Sequence, residues 1–152
     1  MPSPTEFSAR CNELLELAGS IGIGALTPNE RLAYEVNRFL VEYESGGLTG
    51  LLYNINRSDG QTSWSELTAI ATSLRQLGCH ASANELASLE PALVAACQSI
   101  SGTWGEFCGA VGQEQLSQAD QVLGQQVAEI WEHLERFVVS LPNHGQLRDG
   151  VA

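Results

Sequence analysis

The chain has 152 residues, 43% of them hydrophobic, and a formal net charge of -11. That length fits one domain with a core of its own, and no run approaches the ~18 continuous apolar residues of a membrane span. The 18 acids face seven basic residues, all arginine, so direct nucleic-acid binding, which needs phosphate contacts from Lys and Arg, is disfavoured.

The opening Met1-Pro2-Ser3-Pro4-Thr5-Glu6 lacks the basic start and apolar run of a signal peptide, so the expected location is the cytoplasm. Thr5 to Ala18 reads as a helix with Phe7, Cys11, Leu14, Leu15 and Ala18 on one stripe. Gly19 to Ala25 reads as a flexible link. Its three glycines lack the following Lys, the preceding strand and the spacing of a phosphate-binding loop. Thr27-Pro28-Asn29-Glu30 is a sharp helix start, with Thr27 as cap, Pro28 in the first turn and Glu30 closing a capping box. The helix runs to about Glu44, with Leu32, Val36, Phe39, Leu40 and Tyr43 inward. Arg31, Glu35, Arg38 and Glu42 form its outer, solvated face. Gly46-Gly47 is a stop signal, because glycine enters the left-handed region without a Cβ clash. Leu48, Leu51 and Leu52 return at helical spacing, so the chain turns there and re-enters a short helix.

Asn56 to Gln61 reads as a polar loop, and Ser63-Trp64-Ser65-Glu66 as a second capping box. The helix it opens buries Trp64, Leu67, Ile70, Ala71, Leu74 and Leu77 and ends at Gly78. The next helix runs from about Ala81 to Ile100, with Pro91 expected to kink it or restart it after Ser88. Ser101 to Gly112 reads as a packed loop or short helix around Trp104, Phe107 and Val111. The last helix is expected from near Ser117 to about Leu141, with Asp120 as a capping acid and Val127, Ile130, Trp131, Leu134, Phe137, Val138 and Leu141 inward. Residues 142–152 are expected to fray. No segment alternates with period two and no repeat is visible. The expected fold is all-α, a single compact domain of about six helices. Cys11, Cys79, Cys97 and Cys108 show no C-x-x-C pairing and read as free buried thiols.

The negative charge is uneven. Residues 1–26 carry -2, residues 27–78 carry -2 and residues 79–152 carry -7. Glu129, Glu132 and Glu135 step by three along the last helix, and Asp120 lies further up it. These four form a candidate acidic face for a basic protein surface; an ordinary solvated helix face is the competing reading. Glu129 and His133 are spaced i,i+4, but without ligands from another helix they make no metal site. No catalytic residue, cofactor or metal is expected.

Three stretches carry a family resemblance: Leu26-Thr27-Pro28-Asn29-Glu30-Arg31, the block from Glu42 to Asn54, and the helix end from Leu74 to Gly78. Together they resemble the DNA mimic protein family of small acidic helical proteins. Within the block Glu42, Gly46, Gly47 and Asn54 match the family pattern. Ser45 replaces an Asn, Leu48 a Phe, Gly50 a Gln, and Leu51 and Leu52 a Tyr and a Phe. The resemblance spans residues 26 to 141. It implies an all-helical cytoplasmic protein, often a homodimer, and in one branch carboxylates that stand in for DNA phosphates on a DNA-binding protein. Charge alone leaves open an inhibitor or immunity-type protein that neutralises a basic toxin or enzyme. An enzyme with an unrecognised site is the third reading.

Overall fold

The computed structural model describes residues 4–59, 64–99 and 104–141. Among these residues the chain forms α1 (Pro4–Ile21), a 3-10 turn (Ile23–Ala25), α2 (Pro28–Asp59), α3 (Ser65–Leu77), α4 (His80–Ser99), α5 (Trp104–Val111) and α6 (Gln113–Ser140), with no strand. The fold is all-α with six helices, as expected.

The long α2 is the central element. Its start is the capping box read from the sequence. Thr27 N–H donates to Glu30 Oε1 at 2.9 Å, and Glu30 N–H donates to Thr27 Oγ1 at 3.2 Å. Two otherwise unpaired donors are thereby satisfied. The helix packs against α1, α3 and α6. Its core side is Val36, Phe39, Leu40, Leu48, Leu51, Leu52 and Ile55, all essentially inaccessible to solvent. Each such side chain contributes roughly 1.5–3 kcal/mol by leaving water. At Gly47 the backbone leaves the helix, with φ 67° and ψ -167°. That conformation is open only to glycine. The chain then resumes as helix at Leu48, so the re-entry at the double glycine falls where the sequence places it.

The other helices depart from expectation in detail. α1 runs three residues past Ala18, because Gly22 N–H still bonds Ala18 O at 3.0 Å and the first positive φ is at Gly22. The link thus shrinks to the 3-10 turn. Leu15, expected in the apolar stripe, is exposed, and among the described side chains of α1 Cys11, Leu14 and Ala18 are buried. Glu35, expected outside, is buried, since α2 is covered on more than one side. α2 continues to Asp59 through the start of the expected loop. Ser63 lies outside the described residues; Glu66, its expected partner, forms an ion pair with Arg38 of α2.

α3 ends at Gly78 in the left-handed conformation, φ 98°, with Cys79 N–H bonded to Leu74 O at 2.8 Å. This is the glycine helix stop. α4 passes through Pro91 without restarting; Pro91 is on its exposed side, so the ring meets solvent. α5 supplies a stack of aromatic rings: Trp64 on Phe107 at 5.8 Å and Trp104 on Phe107 at 4.9 Å. α6 begins at Gln113, four residues before Ser117, because Gly112 at φ 106° sets the turn. Leu123, Ile130, Leu134 and Val138 are its buried face, while Trp131 is half-buried edge-on to Phe7. No helix among the described residues is long and apolar enough to cross a membrane.

Two adjacent glycines should behave oppositely. Gly47→Ala is expected to cost about 1–3 kcal/mol of stability through backbone strain. Gly46 has no positive φ and open space around an added Cβ. Gly46→Ala should be neutral or stabilise by up to about 1 kcal/mol. Urea unfolding of both variants reads this out directly; equal losses would contradict it. Leu134→Ala, at the centre of α6's buried face, should cost roughly 2–5 kcal/mol in the same assay.

Candidate functional site

The break in α2 leaves the amide of Leu48 at a fresh helix start, one of the donors that no intrahelical carbonyl can take. Asp120 of α6 takes it: Leu48 N–H donates to Asp120 Oδ1 at 3.1 Å. The same residue's backbone carbonyl accepts the Tyr43 hydroxyl at 2.8 Å. Asp120 therefore grips α2 on both sides of Gly47. Burial, then the bond to Asp120 and that residue's charge, push the Tyr43 phenol well above its usual range, so it stays a donor. A shallow groove of about 320 Å³ opens beside the break, lined by Gly46, Gly47, Thr49, Cys108, Ser117 and Asp120 among others. Glu42 and Asn54 are not among its lining residues. Glu42 accepts from Arg38 Nε at 3.0 Å, one turn before the glycines, and Asn54 is half-buried two turns after them.

The acids of α6 divide into two groups. Nine residues of helix turn through about 900°, so Asp120 and Glu129 point to opposite sides. Asp120 faces α2. Glu129 and Glu132 are exposed and Glu135 is half-exposed, spread over the solvent side of α6 away from Leu134. The structure groups these three and holds Asp120 apart from them. Glu44 of α2, which no sequence pattern singles out, accepts the Trp131 indole N–H at 2.6 Å. No local pattern announces that bond, since the partners lie 87 residues apart.

Basic side chains are mostly held. Arg10 bonds the carbonyl of Leu141, Arg31 pairs with Glu35, and Arg75 bonds Asn84. Arg38 lies between Glu42 and Glu66. Burial opposes its charge, but the Glu42 hydrogen bond and the Glu66 carboxylate outweigh that and push the guanidinium further up. Arg136 is exposed on α6.

A second polar cluster lies where the α3–α4 corner meets α6. A cavity of about 170 Å³ is lined by Cys79, His80, Ser82, Gln126 and Glu129, among others. Ser82 donates to Gln126, and His133 Nε2 lies 3.7 Å from Glu129 Oε1. A nucleophilic cysteine needs its thiol pKa lowered. Here burial, and then the charge of Glu129, push the Cys79 thiol up. Burial likewise raises Cys11, to about 11, and Cys108. Cys11, Cys79 and Cys108 are free thiols; the side chain of Cys97 lies outside the described residues. No group of three or more His, Cys, Asp or Glu among the described residues is placed to hold a metal ion. No family model, no curated protein and no solved structure matches the chain.

The cap across α2 and α6 makes a direct expectation. Asp120→Ala should destabilise by about 0.5–2 kcal/mol, the range for losing a helix N-cap. Asp120→Asn, which keeps an acceptor oxygen, should recover most of it. Chemical unfolding of the two variants compares them; an unaltered Asp120→Ala protein would show that the bond contributes nothing.

Proposed function

We propose that the protein is a cytoplasmic binding module that acts as a DNA mimic, presenting carboxylates of α6 to the DNA-binding surface of a basic protein. The observation that carries the reading is the distribution of cations. Among the described residues, Arg10, Arg31, Arg38 and Arg75 are each engaged elsewhere, and Arg136 is the exposed cation on α6. Glu129, Glu132 and Glu135 thus project a net negative field to solvent. Glu129 to Glu135 spans about 9 Å of helix axis, on the order of two to three phosphates of one DNA strand. The likeness of residues 26–141 to the DNA mimic family points the same way. Binding of this kind draws on long-range attraction between exposed charges, which speeds encounter and weakens in salt.

A double-stranded DNA column loaded with cell lysate tests the proposal. The wild-type protein, applied as eluant, should release a discrete set of DNA-binding proteins. Its efficiency should fall between about 50 and 200 mM salt. The triple variant Glu129→Gln, Glu132→Gln, Glu135→Gln should release none while keeping its helical circular dichroism, because exposed charges contribute little to stability. Equal elution by the triple variant, or no elution by the wild type, would overturn the proposal.

A further inference from the structure

Glu129 has a neighbour that changes its charge with pH. His133 follows it by four residues on α6, with Nε2 3.7 Å from the Glu129 carboxylate. The pair is a true ion pair only when the imidazole carries a second proton. Glu129's side chain is 67% exposed and that of His133 28%, so the proton can exchange with solvent. The ring is held from the other side as well. It lies against the α3–α4 corner, 3.6 Å from where a Cβ on Gly78 would stand. Gly78 closes the C-terminal end of α3, where the helix dipole favours a positive charge. A proton on His133 thus meets a carboxylate on one side and a helix C-terminus on the other.

From this geometry we infer that His133 is a proton-operated attenuator of the acidic face: when protonated, it cancels Glu129 and weakens the hold on a basic partner. The inference rests on the acidic face being the working surface. Histidine is the side chain whose ordinary titration falls between pH 5 and 8, whereas ordinary carboxylates stay ionised through most of that window. The other charged and titratable groups carried by the packed elements are limited. On α6 they are Glu114, Asp120, Glu132, Glu135 and Arg136. The corner carries the buried Cys79 thiol and the exposed His80. α3 carries Glu66 and, in its last turn, Arg75, held by Asn84, and α4 carries Glu85 and Glu90. His80 shares the cavity with Glu129 and is the group to exclude.

The experiment uses the full chain and an oligo-arginine peptide, whose own charge is constant over the range. Wild type should bind the peptide about two- to fivefold more weakly at pH 5.5 than at pH 8, the scale of one exposed ion pair. His133→Gln should lose that dependence, and His80→Gln and His144→Gln should retain it. Retention in His133→Gln, or loss in His80→Gln, would overturn the inference. If wild type does not bind the peptide at any pH, the acidic-face reading fails; if wild type binds, the Glu129, Glu132, Glu135 triple Gln variant does not, and His133→Gln keeps the pH dependence, the inference about His133 alone fails.

Discussion

The bond from the Leu48 amide to Asp120 is the constraint on which the arrangement of the helices depends. A straight helix over Pro28–Asp59 would run roughly 48 Å at 1.5 Å per residue, longer than a domain of this size is wide. Gly47 divides it, and both halves then place their apolar stripes in one core. Division leaves a bare helix start inside the protein, and α6 supplies its cap. Tyr43, just before the break, bonds the same residue. Its hydroxyl also comes within 3.3 Å of where a Cβ on Gly124 would stand, so a residue without a side chain lets α6 approach. Angle, cap and helix packing are therefore set together.

Charge follows a similar economy. Arg38 ties α2 to α3 through Glu66 while also holding Glu42 on its own helix. Arg10 meets the last carbonyl-bearing turn of α6 at Leu141, where the helix dipole favours a cation. Arg10, Arg38 and Arg75 thus tie helices together, and surplus negative charge, Glu129 and Glu132 included, faces water. A net charge of -11 sets a long-range negative field around the chain. The same surplus makes a single imidazole on α6 a meaningful fraction of the local field.

The features legible in the sequence are those fixed over a few residues. Thr27 and Glu30 make a reciprocal cap because both partners sit in one turn, and Gly78 ends α3 because its conformation is a local property. The double glycine announced a break for the same reason, although only the structure assigns the strain to Gly47. What the sequence did not show depends on neighbours. Glu35 has the spacing of a surface residue but lies under packed helices, and Leu15 has the spacing of a core residue but lies beyond the edge of what α2 and α6 cover. The start of α6 was hidden because Ser117 resembles a cap while Gly112 sets the turn. Asp120 read as a cap, yet the helix it caps lies 72 residues earlier in the chain. On α6, i,i+3 spacing singled out Glu129, Glu132 and Glu135, but nothing in the spacing revealed that Asp120 is engaged by α2.

That separation of 72 residues has a consequence for how the chain matures on the ribosome. Synthesis delivers α2, α3, α4 and α5 before Asp120 exists. Throughout that interval the two halves of α2 share a glycine joint whose exposed amide water alone can satisfy. Local helices form in microseconds, whereas translation adds about 5–20 residues per second. Until Asp120 has been added, the Leu48 amide lacks the acceptor that holds it in the finished fold, and the faces of α2 that α6 covers lack that partner. The contacts that join α6 to α2 are therefore among the last this stretch of chain can make.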